Sequence, residues 1–346
     1  MTHLWLRAET RAHEHRTGLT PTGARRLLDA GMSVTVEASD QRAIPITDYA
    51  DAGCAIAPQG TWPSAPDDAI ILGLKELPDN GARLHHRHIM FGHAYKGQAE
   101  GRVLLDRFRA GGGTLYDLEY LVDTHGRRVA AFGYWAGYAG AAVSLLGLAA
   151  QHNGVSLGPI ETYDSANDLI TRLRQDLHII APSVLIIGAL GRVGTGAADL
   201  CTAVGLHVTK WDMAETASGG PFAQILDHDV FLNCILAAQD TPVFVPAAAK
   251  TADRKLRVIG DIACDPQSDF SPIKVYDKET TWDAPLRRVH DTPPLDVMAI
   301  DNLPSLMPVK SSEDFAGQLL PHLLDLDDIG NGVWHRAHQI FDAAST

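Results

Sequence analysis

Two kinds of residue in this chain could do chemistry: glycines grouped where a backbone must approach a ligand, and bases placed just after apolar runs. Between Ser183 and Gly196 the chain reads SVLIIGALGRVGTG, so Gly188, Gly191 and Gly194 form G-x-x-G-x-x-G. Glycine there lets the backbone turn tightly and approach a pyrophosphate more closely than a Cβ allows. The following helix aims its first N–H groups at the phosphate charge. Asp212 lies 24 residues beyond Gly188, after the strand-like HVTKW, where a carboxylate can accept from both ribose hydroxyls. No arginine follows Asp212 to meet a 2′-phosphate, which favours NAD over NADP, although Lys210 is close by. The competing reading is a glycine turn with no ligand. The order of strand, glycine turn, helix, strand and acid argues against it.

The second group lies in the first third of the chain. AIILGLK ends at Lys75 beside Glu76; IMFGHAYKGQ carries His93, Lys96 and Gln98; Arg16 precedes Gly-Leu-Thr-Pro. Polar residues at the carboxyl ends of parallel strands sit in the crevice where such folds bind ligands. A lysine acting as a base near neutrality needs burial or nearby cations to lower a pKa of about 10.4. His93 and Arg16 push in that direction, Glu76 and Glu119 against it. Histidine suits a second acid/base role. Spacing alone equally allows Lys75 and His93 to be surface or capping residues. The run His85-His86-Arg87-His88 reads as a solvated loop, because successive residues cannot all face one ion and no cysteine or carboxylate stands at ligand spacing. His13 and His15 read the same way, so no metal is expected.

These groups need elements to position them. Thr20-Pro21-Thr22 opens a helical pattern over Gly23–Ala30, followed by the alternating SVTVE and the short apolar runs CAIAP and AIILGL. Strands alternating with helices predict parallel α/β layers. The segment Val129–Gln151 is long and apolar but contains four glycines, so it reads as a buried domain-linking helix with its approach loop and not as a membrane span. A helix over Leu169–Leu177 precedes the glycine loop; DVFLNCIL and LRVIGDIA are further strands. Beyond Pro293 come VMAIDNLPSLMP, a helix from about Ser312 and another ending at Phe341. Two such helices seldom fold alone, so the tail is expected to rejoin the first domain. The expected domains are 1–130 plus 305–346, and 131–304. The expected fold is α/β: two Rossmann-like domains with parallel sheets, separated by an active-site cleft.

A formal charge of −13 repels phosphate backbones and argues against nucleic acid. The first sixteen residues carry charges throughout and no apolar run, so no signal peptide is visible. Cys54, Cys201, Cys234 and Cys264 form no Cys-x-x-Cys pair and read as reduced thiols of a cytoplasmic enzyme. A monomer or small homo-oligomer is expected.

On these residues the chain resembles the lysine-forming saccharopine dehydrogenases, relatives of alanine dehydrogenase and of the NAD-binding transhydrogenase subunit. LRAET…R…LTPTGARRL, GLKELP, FGHAYKGQ, VLIIGALGRVGTGA, KWDMAET…GGPF and IDNLPSLMP carry the likeness over nearly the whole length. GTLYDLEYL and GRRVAAFGYWAGYAGAA point to saccharopine dehydrogenases in particular. The resemblance implies oxidation of saccharopine by NAD to lysine and 2-oxoglutarate. It also implies Lys75 as the base for the amine and His93 as the acid/base for hydration and collapse of the imine. Arg16, Gln98, Phe132 and Ala263, Cys264 and Asp265 match substrate contacts. Arg127, Gly188, Gly191, Arg192, Gly194, Asp212, Thr216, Leu236, Ile262, Ile300, Asp301, Asn302 and Leu303 match cofactor contacts. Leu236 departs from the aromatic residue often found there, Val193 fills a variable position of the loop, and loops around Asn153 and Gly158 are short. The chemistry fits this division: removing hydride from a C–N bond needs a neutral nitrogen, and hydrolysing the imine needs protons moved to and from water. A tricarboxylate substrate gives an acidic chain reason to gather Arg16, Lys75 and Lys96. Two other readings stand beside this one: another amino-acid dehydrogenase of the same superfamily, and an NAD-binding regulator without catalysis.

Overall fold

The computed structural model describes residues 1–95 and 99–345. In chain order its strands and α-helices are β1 (His3–Leu6), α1 (Pro21–Asp29), β2 (Ser33–Glu37), α2 (Ile46–Asp51), β3 (Ala55–Ala57), β4 (Ile70–Leu72), β5 (Arg87–Met90), α3 (Ala99–Gly111), β6 (Thr114–Asp117) and α4 (Gly133–His152). Next come α5 (Ala166–Asp176), β7 (Val184–Ile187), α6 (Arg192–Val204), β8 (Val208–Trp211), α7 (Met213–Thr216), β9 (Val230–Asn233), β10 (Val258–Asp261), β11 (Arg287–Asp291), β12 (Pro294–Met298), α8 (Pro308–Leu323) and α9 (Gly332–Ser345). The chain divides into two compact units, Met1–Ala131 with Pro308–Thr346, and Phe132–Met307.

The first unit is built on a six-stranded sheet in the order β3-β2-β1-β4-β5-β6, with every pairing parallel. Its central strand β4 is Ile-Ile-Leu and wholly buried, as expected where both faces of a parallel sheet are covered. The chain turns back on itself between β1 and β4, so the switch point lies there and the crevice opens beyond their carboxyl ends. Helix α1 starts where Thr20 Oγ1 accepts the Gly23 N–H at 3.2 Å, with Pro21 at its first position. Helices α8 and α9 rejoin this unit: Ser312 Oγ accepts the Thr17 N–H at 2.9 Å, and Trp334 packs edge-on to Tyr116 of β6.

The second unit has the order β11-β12-β10-β9-β7-β8, parallel except for the β11–β12 hairpin at one edge. Helix α4 is buried from Gly137 to Ala149 and packs on α6 at backbone distance. A Cβ on Gly137 would overlap the Val193 carbonyl and one on Gly196 the Tyr134 carbonyl, so both glycines serve this helix contact. Among the described residues no helix is long and apolar enough to cross a membrane.

Four expectations need correction. The residues His86 and His88 are not in a solvated loop: both are buried, and His88 is part of β5. The polar letters of HRHIM concealed a strand whose His88 ring packs edge-on against Trp62 and Phe108. The charged first residues contain β1, with Leu4, Trp5 and Leu6 buried. Helix α8 begins at Pro308 rather than near Ser312, since proline is well placed in a first turn. Helix α9 runs on to Ser345, past Phe341.

Candidate functional site

In the first unit the crevice is formed by the segments that leave β1, β4, β5 and β6 at their carboxyl ends. Lys75 lies three residues past β4, and its backbone is gripped from the segment after β1. The Glu9 carboxylate accepts the Leu74 N–H at 2.7 Å and the Lys75 N–H at 3.1 Å. Arg7 Nη1 pairs with Glu9 at 3.2 Å, while Arg7 Nη2 donates to the Lys75 carbonyl. A Cβ on Gly73 would overlap the Arg7 guanidinium where it now lies. The side chain of Lys75 is only 8% exposed. It shares that interior with Arg16 and Glu14, which form a buried ion pair at 2.6 Å backed by Arg16 Nε to Glu14 Oε1 at 2.8 Å. Burial works to raise the Glu14 carboxyl, but the charges of Arg16 and Lys75 outweigh it and hold the group below the ordinary carboxylate range. The cationic cluster expected here therefore encloses an anion.

The strand ladder carries on past β4 and β5 through the Phe91 N–H to the Leu74 carbonyl at 3.0 Å. This places His93 on the segment adjoining that of Lys75. His93 adopts a left-handed backbone (φ 49°), its ring stacks on Phe91, and Nδ1 lies 3.4 Å from Glu119 Oε2. In contrast to Lys75, its side chain is 52% exposed. Asp117 closes β6 beneath this loop, with Oδ1 accepting the Glu119 N–H at 2.9 Å. Burial pushes the Asp117 carboxyl up to about 6, against the opposing pull of that hydrogen bond and of His93. Glu76 pairs with Arg11 at 3.6 Å. Lys96 and Gln98 lie outside the described residues.

In the second unit, β7 leads into the glycine loop. Gly188 has φ 83°, and a Cβ on Gly194 would overlap the Gly188 carbonyl. Gly191 is the N-cap of the thirteen-residue α6 and brings no side-chain cap to it; the nearest atom to a Cβ there is 3.5 Å away. Arg192 is exposed at the first helical position. Asp212 follows β8 and ties the loop to the next segment: its carboxylate accepts the Leu190 N–H at 3.0 Å and the Met213 N–H at 2.9 Å. Glu215 completes a capping box on the Asp212 N–H, and Thr216 Oγ1 donates to the Asp212 carbonyl. Leu190, Met213 and Leu236 are large apolar side chains left exposed after β7, β8 and β9.

The ends of β9 and β10 are joined by a buried network. Asp261 accepts from Asn233 Nδ2 at 2.9 Å and from the Tyr276 hydroxyl at 2.7 Å, and burial raises its carboxyl. Ile262 is buried, with its N–H on the Asn233 carbonyl at 3.1 Å. Ala263 and Cys264 are half-buried and Asp265 exposed; Cys264 has φ 53°, and burial raises its thiol. After β12, Ile300 and Leu303 are buried, Asp301 Oδ1 accepts the Asn302 N–H at 2.8 Å, and Asn302 is left-handed at φ 72°. Phe132 caps α4. Arg127, in the first unit, is exposed on a turn where Asp123 accepts its N–H at 2.9 Å.

Sequence reasoning missed Arg7, Glu9, Glu14, Asp117, Asn233, Asp261 and Tyr276. Arg7 and Glu9 reach Lys75 across 68 and 66 residues, so local spacing carries no trace of that grip. The one available signal was charge packed into LRAET next to apolar letters. Among the described residues no group of three or more histidines, cysteines or carboxylates could hold a metal ion.

The profile of the alanine dehydrogenase/PNT N-terminal domain matches residues 5–139. A Schizosaccharomyces pombe protein named saccharopine dehydrogenase (NAD(+), L-lysine-forming) is 44% identical, covering 98% of this chain and 97% of its own. Proteins of the same name from Yarrowia lipolytica and Neurospora crassa are each 45% identical, covering 98% and 99% of this chain and 96% of their own. Among solved structures, an L-alanine dehydrogenase superposes with a TM-score of 0.69 at 16% identity, covering 99% of this chain and all of that one. A transhydrogenase from Sinorhizobium meliloti gives 0.64 at 14% identity, covering 94% and 95%. These last two likenesses concern the fold.

Proposed function

Because the chain belongs to the family of NAD-dependent, L-lysine-forming saccharopine dehydrogenases, we propose that it cleaves saccharopine oxidatively to L-lysine and 2-oxoglutarate, with Lys75 and His93 handling the protons. The observation that carries these roles is the contrast between two neighbouring bases. Lys75 is buried among Glu14 and Arg16, with its backbone clamped by Glu9; His93 is exposed to water beside Glu119.

Saccharopine joins its two halves through a secondary amine, which is protonated near neutrality. Lys75 removes that proton, freeing the lone pair that drives hydride from the adjacent carbon and leaves an imine. His93 then takes a proton from the water that adds to the imine carbon. It returns a proton to nitrogen as the C–N bond breaks, releasing the lysine amine and the keto group of 2-oxoglutarate. A half-exposed imidazole suits a step that consumes water; a buried amine suits one that must not leak protons. Arg16 offers a guanidinium for a substrate carboxylate, and its pairing with Glu14 keeps it oriented.

NAD fits the second unit's residues. Gly188, Gly191 and Gly194 leave backbone room that side chains would fill, and the N-terminus of α6, capped by a glycine without a side-chain bond, suits a pyrophosphate. The Asp212 carboxylate, held by the Leu190 and Met213 N–H groups, retains acceptor capacity for a ribose hydroxyl, while Leu190, Met213 and Leu236 offer apolar surface to a base. When bound, NAD supplies the hydride acceptor. Arg127, Phe132, Arg192, Thr216, Ile262, Ala263, Cys264, Asp265, Ile300, Asp301, Asn302 and Leu303 remain the proposed surrounding contacts.

The test is a paired-substrate assay. NADH should be consumed with L-lysine plus 2-oxoglutarate and not with pyruvate plus ammonia. Consumption with the second pair alone would assign the chain to alanine-type chemistry.

A further inference from the structure

The second unit carries a concentration of positive charge that the proposed reaction does not use. A groove of about 330 Å³ is lined by Lys250, Lys274, Arg287 and Arg288, with Tyr276 and Asp277 between them. On a chain of net charge −13, four cations around one concavity run against the composition. Arg287 and Arg288 come from the edge strand β11, whose register with β12 slips between Arg288 and His290. Their guanidiniums are already engaged: Arg287 Nη1 is 2.6 Å from Asp277 Oδ1, and Arg288 Nε is 2.6 Å from Asp296 Oδ1. The two lysines differ. Lys274 Nζ donates to the Asp269 carbonyl at 3.1 Å, and among the described residues neither Lys250 nor Lys274 has a carboxylate within ion-pair distance. Asp277 is the only acid lining the groove among those residues, and Arg287 neutralises it.

Two ammonium ions without counter-charges, set in a concave surface, focus a positive field into a small volume. The arginine forks, committed to Asp277 and Asp296, are not offered for planar bidentate pairing, so the free donors are point charges. That arrangement suits a compact tetrahedral dianion, whose charge is spread over three oxygens, and the volume leaves room for more than a bare phosphate. We propose that the groove formed by Lys250, Lys274 and the β11 arginines binds a phosphate dianion, free or as the end of a small phosphate monoester.

The experiment is phosphorus NMR titration of the full chain at constant ionic strength, with inorganic phosphate and with glycerol phosphate as probes. It compares wild type with the Lys250→Gln/Lys274→Gln double variant, in the presence and absence of saturating NADH. The double variant should bind phosphate at least tenfold more weakly, keep its melting temperature and keep its turnover, and NADH should leave phosphate binding to the wild type unchanged. Tighter binding of glycerol phosphate than of inorganic phosphate assigns the groove to a monoester, and the reverse to free phosphate; either supports the proposal. Equal affinities of wild type and variant would overturn it, as would displacement of phosphate by NADH, which would place the anion at the glycine loop, or no binding to the wild type at tens of millimolar.

Discussion

The carboxylate of Glu9 holds the backbone of Lys75: Oε2 accepts the Lys75 N–H at 3.1 Å while its other oxygen accepts the Leu74 N–H at 2.7 Å. The proposed base is thus fixed by an acid 66 residues earlier, itself balanced by the buried Arg7. Substituting Glu9→Ala strips Arg7 of its counter-charge and leaves two buried N–H groups without acceptors. Breaking a buried pair this way costs roughly 3–5 kcal/mol. Glu9→Ala should therefore lower the melting temperature by roughly 6 °C or more. Glu9→Gln, which keeps one acceptor, should lose less. Differential scanning calorimetry checks this, and a Glu9→Ala protein melting with wild type would contradict it.

Two glycines of the loop should separate folding from binding. A Cβ on Gly194 overlaps the Gly188 carbonyl, so Gly194→Ala should disturb the loop and lower stability. At Gly191 the backbone is ordinary (φ −75°) and the nearest atom to a Cβ is 3.5 Å away. Gly191→Ala should melt with wild type yet bind NADH at least tenfold more weakly, because the methyl group takes space meant for the pyrophosphate. Fluorescence titration with NADH reads the second effect; unchanged affinity in Gly191→Ala would remove the loop from the cofactor site.

How legible was this in the letters? SVTVE and SVLIIG announced strands through alternation and apolar runs, and Asp212 stood out by its distance from Gly188. Strand β5 did not, since His86 and His88 look solvated until Trp62 and Phe108 are seen to enclose the second of them. The hairpin of β11 and β12 was equally silent, because the partners of Arg287 and Arg288 only become neighbours in the fold. The grip of Glu9 and Arg7 on Lys75 is a long-range contact, and one-dimensional spacing holds no information about it.

Burial drives the His88 imidazole well below its usual range, helped by Arg7 and neighbouring cationic groups, and neither ring nitrogen has a hydrogen-bond partner among the described residues. A histidine kept neutral in the fold but free to protonate when unfolded adds stability above its unfolded pKa near 6.5. That stability is lost as pH falls towards the depressed folded value. By pH 5.5 the loss is on the order of 1 kcal/mol, a melting-temperature drop of roughly 2–4 °C. His88→Phe, which suits the aromatic surroundings, should show that much less decline between pH 7.5 and 5.5. Parallel melting curves for the two proteins across that range would refute the assignment.

Cofactor choice should rest on Asp212. Its carboxylate, already accepting from Leu190 and Met213, would face the extra phosphate of NADP, and the α7 segment that follows it carries no arginine. NADPH should bind at least tenfold more weakly than NADH, and Asp212→Asn, which preserves an acceptor for the loop amides, should narrow the gap. Equal dissociation constants for the two cofactors in the wild type would count against this reading.

The division of proton work between Lys75 and His93 is tested most directly by saccharopine turnover in Lys75→Met and His93→Gln, with NADH affinity measured in parallel. The account predicts that each variant binds NADH as the wild type does while kcat falls by roughly 10²–10⁴. Turnover left at the wild-type level in either variant would contradict it.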